Sequence, residues 1–134
     1  MQKNYLILAH KNPLQLSRMI ERLDDGASKF FIHLDAKTPI EPFAVCLEGG
    51  HIRFIEKRER CVWGDFSIVQ ATIRLMEAAS EEQGVFILMS GQDYPIQSQG
   101  YINDFLERNK EFDFIEIEPL EEKWKPKMVK DKLE

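Results

Sequence analysis

The side chains best suited to chemistry follow short apolar runs that end in polar loops. Residues 86–89 are Phe-Ile-Leu-Met, and Ser-Gly-Gln-Asp-Tyr-Pro follows directly at 90–95. The apolar run is typical of a strand buried on both faces. In the loop, Gly91 allows an unusual backbone angle and Pro95 fixes the exit. Asp93 is the best candidate for ligand contact; it could accept hydrogen bonds from sugar hydroxyls, or it could only stabilise the turn.

Two other apolar runs end in the same way. His10 and Lys11 follow Tyr-Leu-Ile-Leu-Ala at 5–9, and Asp35 follows Phe-Phe-Ile-His-Leu at 30–34. The first loop could hold a base or ribose while Lys11 faces a phosphate, or it could be an ordinary strand-to-helix turn. Asp35 could accept a hydrogen bond from a uracil N–H or a ribose hydroxyl, or it could cap the next loop as an Asx turn.

Trp63 and Gly64 precede the longest helical pattern. A tryptophan can stack on a planar ligand, and a glycine lets a ligand approach the backbone closely. The alternative for Trp63 is core packing at the helix entrance. His33, inside the second strand, is interpreted as a hydrogen-bonded structural histidine and not as a catalyst.

Several common motifs are missing from the sequence. It has no Gly-x-Gly-x-x-Gly or Walker loop, no zinc-ligand spacing and no Gly-x-Ser-x-Gly elbow. It also lacks an Asp-x-Asp at a strand end, the usual device for a metal that bridges a nucleotide diphosphate. Glu116 and Glu118 are the nearest substitute, but the solvated face of an edge strand explains them better.

Alternating strands and helices must position these loops. Strands are predicted at 5–9, 30–34, 52–55, 85–89 and 112–117; helices are predicted from Asn12-Pro13 to about Asp25, at 42–47, at about 66–80, and after Ser98 with Ile102, Phe105 and Leu106 buried. This order predicts an α/β fold with a mainly parallel sheet and flanking helices. Parallel strands end at one edge, so His10, Asp35 and Asp93 should surround one crevice, where a nucleotide would normally bind.

Composition bounds the class of protein. A chain of 134 residues with 43% apolar and 31% charged residues suits one soluble domain. The net charge of −5 argues against nucleic acid and anionic membrane surfaces as partners. No apolar run approaches the roughly 20 residues of a membrane helix, and the start lacks a signal-peptide shape. Cys46 and Cys61 are predicted to be half-buried free thiols.

Four segments in this order resemble the core-2/I-branching glycosyltransferase family, which contains β-1,6-N-acetylglucosaminyltransferases and peptide xylosyltransferases. They are Leu-Ala-His-Lys-Asn-Pro from residue 8, Phe-Ile-His-Leu-Asp-Ala-Lys from residue 31, Val-Trp-Gly-Asp-Phe-Ser-Ile-Val-Gln-Ala from residue 62 and Leu-Met-Ser-Gly-Gln-Asp-Tyr-Pro-Ile from residue 88. The similarity covers about residues 4–117. The resemblance implies a GT-A fold with a Rossmann-like nucleotide-binding half.

The resemblance also implies the reaction. A GlcNAc- or xylose-like sugar would pass from a UDP-sugar to a glycan or other hydroxyl acceptor, with inversion and without a metal or other cofactor. A carboxylate base would deprotonate the acceptor, and basic side chains would offset the charge of the leaving diphosphate. By resemblance, His10 and Asp35 lie at the uridine end, Trp63 and Gly64 along the nucleotide, and Asp93 near the sugar.

Members of that family are longer, and their catalytic glutamate and diphosphate-binding residues come after the region matched here. We therefore expect residues 1–117 to form a UDP-sugar-binding domain. The charged stretch 118–134 would begin an acceptor and catalytic half, with the base beyond residue 134 and little or no transfer by this chain alone. The missing anchor and few cysteines suggest a bacterial cytoplasmic enzyme of surface polysaccharide synthesis, with peripheral contact to the inner membrane as an option.

Three alternatives stay open. A non-catalytic flavodoxin- or receiver-like module suits the length, but the loop after strand one, His10 to Asn12, has neither the acidic pair nor the hydroxyl-rich phosphate loop that such domains use. A metal-dependent GT-A transferase would have to use Glu116 and Glu118. A partner-binding remnant without donor affinity is the third.

Overall fold

The computed structural model describes residues 1–119 as an alternating series of strands and helices. The elements are β1 (Lys3–Ala9), α1 (Pro13–Leu23), β2 (Lys29–Leu34), α2 (Glu41–Cys46), β3 (Ile52–Phe54), α3 (Ser67–Ala78), β4 (Val85–Ser90) and α4 (Gln99–Arg108). The strands form one sheet in the order β3-β2-β1-β4, and every pair is parallel. The predicted α/β class is confirmed, with the first four strands within two residues of their expected positions.

The sheet separates two apolar clusters, because successive side chains of a strand point to opposite faces. On one face Tyr5 and Ile7 of β1 pack with buried residues of α1 and α2. On the other face Leu6 packs with Phe31 and with Leu75 of α3. Fully burying a side chain of this size contributes about 1.5–3 kcal/mol, so these clusters hold the helices on the sheet.

The central position of β1 brings several loops to one edge of the sheet. Ala9 is in register with Leu34 of β2, and Leu8 with Ser90 of β4. The backbone pairing continues past the strand ends, since Asp35 N donates to Ala9 O at 2.9 Å. The loops that follow three strands therefore begin side by side.

Two local expectations about turns need correction. Gly91 does not have a positive φ angle. Glycine is favoured there by space, because a Cβ would lie 3.1 Å from the Cβ of Ala9, a tight contact across the sheet. Asn12 precedes α1 as expected, but it adopts a left-handed conformation with φ 58° and makes no side-chain capping bond. The predicted cap of α4 is confirmed, since Ser98 Oγ accepts from Tyr101 N at 3.1 Å.

The predicted fifth strand at 112–117 is wrong. Residues 112–119 have no regular secondary structure, and Ile117 is 84% exposed. An alternating apolar pattern becomes a strand only where a neighbour supplies backbone partners. Here the chain turns directly after α4, with Phe112 N donating to Asn109 O at 3.0 Å, and the ring of Phe114 contacts Phe105.

Two neighbouring elements, β4 and α4, are more exposed than expected because no fifth strand covers them in the part of the chain that the structure describes. Within residues 1–119, β4 pairs only with β1, and its Phe86 and Leu88 are 46% and 53% exposed. The predicted buried face of α4 is not buried either: Ile102 and Leu106 are half-buried and Phe105 is 38% exposed. A cavity of about 840 Å³ separates β4, α4 and the segment from Phe112 to Ile115.

Two compositional expectations can be compared with the fold. Cys46 and Cys61 are free and half-buried, as predicted. Among the described helices, none has the length and apolar character needed to cross a bilayer. The division at residue 117 stays a prediction, and residues 120–134, which include most of the charged stretch, lie outside the described residues.

Candidate functional site

A cavity of about 230 Å³ lies at the carboxyl edge of the sheet, where β1, β2 and β4 end. Its lining consists of Leu8, Ala9, His10, His33, Asp35, Cys61, Ile68 and Ser90. Thus the predicted convergence of His10 and Asp35 is observed. Ligand pockets usually measure roughly 300–1,000 Å³, so this crevice suits one ring system of a larger ligand.

Asp35 is the most enclosed carboxylate of the crevice, at 6% exposed. Its Oδ1 accepts from Lys37 N at 2.9 Å, and its Oδ2 lies 3.7 Å from Lys37 Nζ. The Asx turn, one of the two interpretations given for Asp35, therefore forms. It occupies mainly one oxygen, and a carboxylate has about four acceptor positions, so Asp35 keeps capacity for a ligand hydrogen bond.

His10 joins the first loop to the second. Its side chain is exposed and borders the crevice, while its carbonyl oxygen accepts from Thr38 Oγ1 at 2.8 Å. This bond links the end of β1 to the turn after Asp35. The two candidate residues are thus held relative to each other by the backbone and by a residue that sequence reasoning did not select.

His33 has the hydrogen-bonded, buried character predicted for it. The side chain is 1% exposed, and Nε2 accepts from Glu59 N at 2.8 Å. A ring nitrogen that accepts must be unprotonated, so the proton of the neutral imidazole is on Nδ1. Burial lowers the pKa of His33, and the Arg58 charge adds a smaller effect in the same direction. A hydrogen bond to the backbone of His33 itself and the carboxylates of Asp35 and Glu59 act in the opposite direction.

Arg58 is a residue of the site that sequence reasoning missed. Its Nε donates to Leu34 O at 2.9 Å and its Nη2 to Asp35 O at 2.7 Å, and Nη2 also donates to Thr38 O. In the sequence it belongs to a polar run, 56–60, which predicts only a solvated loop. No local signal distinguishes it from Arg60, which is exposed.

Trp63 and Gly64 lie in the loop before α3. Trp63 is 84% exposed, so core packing at the helix entrance is wrong. Gly64 has a φ of 76°, the left-handed region that favours glycine. Neither residue borders the crevice, but Cys61 and Ile68 on either side of them do.

Asp93 lies at the same edge of the sheet but outside the crevice lining. Its Oδ2 accepts from Ser90 N at 2.8 Å, and its own N donates to Ser90 O at 3.0 Å. The carboxylate therefore closes the turn after β4, as the interpretation of Asp93 as a turn-stabilising residue predicts. Its side chain is exposed, and its proposed contact with a sugar stays a prediction.

The crevice does not have the features of a nucleophile or a metal centre. Burial and the nearby charges of Asp35 and Glu59 raise the pKa of the Cys61 thiol, which disfavours the reactive thiolate. Across residues 1–119, no group of three or more His, Cys, Asp or Glu side chains could hold a metal ion. Glu116 and Glu118 are exposed in the segment after α4.

Comparison with known proteins gives consistent results. The sequence profile of the core-2/I-branching enzyme family matches residues 4–134. Xylosyltransferase 2 of Homo sapiens is 26% identical over 119 residues, and that of Canis lupus familiaris is 24% identical over the same length; each alignment covers 83% of this chain and 14% of the relative. Xylosyltransferase 1 of Canis lupus familiaris is 23% identical over 117 residues. The chain belongs to the core-2/I-branching enzyme family.

Proposed function

We propose that this chain forms the donor-binding portion of an inverting, metal-independent glycosyltransferase and that its crevice receives the uridine of a UDP-sugar. One observation carries the proposal: His10 and Asp35 meet at the carboxyl edge of a parallel sheet, in a cavity of about 230 Å³. Ligands of open α/β sheets bind at this edge. Family membership and the similarity to xylosyltransferases support sugar transfer as the reaction.

The chemistry of the lining fits a pyrimidine ring. Leu8, Ala9 and Ile68 supply apolar surface for the faces of a planar base. Asp35, as a carboxylate, can accept from the imide N–H, a group that distinguishes uracil from cytosine. Trp63, in the loop between two lining residues, can stack on the base or ribose.

The remainder of the donor would extend from the crevice toward solvent. Lys11 is an exposed residue of the first loop, and Lys37, close to Asp35, is 46% exposed. Either ammonium group can interact with a phosphate. Asp93 is proposed to face the sugar, which is GlcNAc- or xylose-like by analogy with the family, and the acceptor is a glycan or another hydroxyl compound.

Inverting transfer needs a base that removes the proton of the acceptor hydroxyl as the diphosphate leaves. We assign no such base within residues 1–119. The whole protein's activity is therefore inferred from the relatives, of which this chain spans 14%. A bacterial cytoplasmic setting also stays a prediction, and the relatives named above are mammalian.

Calorimetric titration of the chain with UDP tests the proposal. We expect saturable binding that manganese does not strengthen. In Asp35→Asn the amide can still form the Asx turn, but it presents a donor where the imide N–H needs an acceptor, so UDP should bind much more weakly. Asp104→Asn, at an exposed position of α4, is the matched control.

Two results would contradict the proposal. If neither UDP nor common UDP-sugars produced heat, the proposed nucleotide binding would be contradicted. Manganese-dependent tightening would favour a metal-dependent transferase instead.

A further inference from the structure

The loop that contains Asp35 is held by residues of a second loop, after β3. Arg58 donates to the carbonyl oxygens of Leu34, Asp35 and Thr38, which follow one another around the turn. The backbone of Glu59 adds two contacts: its N–H donates to His33 Nε2 at 2.8 Å, and its oxygen accepts from Ala36 N at 3.0 Å. We call Arg58, His33 and the Glu59 backbone the latch.

Arg58 makes three contacts that a lysine could not reproduce together. Its planar guanidinium has five donors in a fixed arrangement, whereas a lysine ammonium is a compact group on a flexible stem. Asp35 O also accepts from Thr38 N at 2.9 Å, so the guanidinium of Arg58 joins this backbone bond in holding the turn closed. The latch therefore gives the turn after Asp35 one preferred shape.

His33 makes the latch sensitive to its protonation state. Protonated imidazole has two N–H groups, so Nε2 would then face the Glu59 N–H as a second donor and the bond would be lost. Three charged residues act on the charge of His33: Asp35 directly after β2, and Arg58 and Glu59 in the loop after β3. His10 and Cys61 line the same crevice. Two cations pair with these carboxylates: Arg74 Nε of α3 lies 3.2 Å from Glu59 Oε1, and Lys37 Nζ lies 3.7 Å from Asp35 Oδ2.

We propose that Arg58 and His33 are positioning residues of the nucleotide site, which hold the Asp35 turn in its binding shape, and that protonation of His33 opens the latch and weakens UDP binding. This inference rests on the proposed function, because UDP is the ligand whose affinity reports it. Neither residue is proposed to take part in chemistry. Burial lowers the pKa of His33, so the latch is closed at neutral pH.

Arg58→Lys tests the guanidinium contacts while it keeps the charge. We expect the dissociation constant for UDP to rise at least about tenfold, because the ammonium cannot reach all three carbonyl groups. Arg18→Lys, at an exposed position of α1, is the matched control and should bind UDP as the wild type does. UDP affinity equal to wild type in Arg58→Lys would overturn the positioning role.

His33→Gln tests the switch, because glutamine offers an uncharged acceptor oxygen at a similar reach. We expect UDP affinity to fall more steeply in the wild type than in His33→Gln as the pH is lowered from 7.5, since the other titrating groups, His10 and the UDP phosphate among them, are the same in both proteins. His33→Leu, which has no acceptor, should bind weakly at every pH. An identical pH profile in wild type and His33→Gln would overturn the switch.

Nitrogen NMR of the His33 imidazole in the wild-type protein tests the protonation switch without any variant, so it applies even if a variant fails to fold. At neutral pH we expect an unprotonated Nε2, and on acidification its protonation should coincide with shifts of the amide signals of Ala36 and Glu59. A protonated Nε2 at neutral pH, or His33 neutral wherever the protein is folded, would overturn the switch. Absence of UDP binding in the wild type would instead contradict the proposed function, and the amide signals would still report the latch.

Discussion

The two strands that flank β1 are embedded very differently. β2 is buried along most of its length, and polar contacts from the loops after β1 and β3 converge on its carboxyl end and on the turn that follows it. Within residues 1–119, β4 lies at the edge of the sheet, with Phe86 46% and Leu88 53% exposed. It follows that the candidate site is built mainly on β1 and β2, where polar contacts hold the Asp35 turn, while β4 contributes a turn that Asp93 closes locally.

The largest contrast should appear in stability. Phe30 of β2 is fully buried and stacks on Tyr5 with ring centroids 5.1 Å apart. Phe30→Ala should lower the free energy of unfolding by about 3–5 kcal/mol, because it removes a large buried side chain and leaves a cavity. Phe86→Ala on β4 should cost about 1 kcal/mol or less, since almost half of that side chain already contacts water. Urea denaturation measures both free energies of unfolding. Equal losses of stability in the two variants would contradict the difference in burial between β2 and β4.

A second contrast concerns the two aspartates. Asp35→Asn should weaken UDP binding by about 1.5–3 kcal/mol, roughly ten- to a hundredfold, since a hydrogen bond to a charged group is lost. Asp93→Asn should leave UDP affinity within a few-fold, because an amide oxygen can still accept from Ser90 N. Titration with UDP and with UDP-sugars separates two cases: selective loss of UDP-sugar binding in Asp93→Asn would indicate a sugar contact. A large loss of UDP binding there would contradict the assignment of Asp93 to turn closure.

A smaller effect is expected at α4, on the side of the molecule next to β4. Ser98 Oγ accepts from Tyr101 N at 3.1 Å as the N-cap of this helix. Ser98→Ala should cost about 1 kcal/mol, whereas Ser98→Asp, which preserves the cap, should be close to neutral. Thermal unfolding compares the two. If both variants lost the same stability, the cap would not be the cause.

Near neutral pH the smallest effect comes from His33. Its pKa in the folded protein lies below the ordinary value of 6.5, so on acidification the unfolded chain takes up a proton before the folded one does. Stability should therefore be complete above about pH 6.5 and fall as the pH decreases toward the folded pKa. Denaturation at a series of pH values in wild type and His33→Gln isolates this contribution. An identical slope in the two proteins would show that other groups cause it.

The particular errors of sequence reasoning have physical causes. Gly91 was expected to supply a special backbone angle, but the constraint is the distance to Ala9 across the sheet, which local sequence cannot reveal. The pattern Phe-Asp-Phe-Ile-Glu-Ile at 112–117 has strand propensity, yet propensity does not supply a hydrogen-bonded neighbour. Arg58 contacts the turn at Leu34 to Thr38, at least 20 positions away, so its role exists only after β2 and the loop after β3 have come together.

Apolar patterning along the chain is enough to predict the four parallel strands and four helices found within residues 1–119, and the edge at which His10 and Asp35 meet. This is possible because apolar periodicity and the geometry of parallel crossovers leave few alternatives. The side chains that hold that edge in shape are known only once the chain has folded. Arg58 reaches three carbonyl groups, His33 accepts from Glu59 and Asp93 turns back on Ser90, because hydrogen-bond partners are chosen by distance in space.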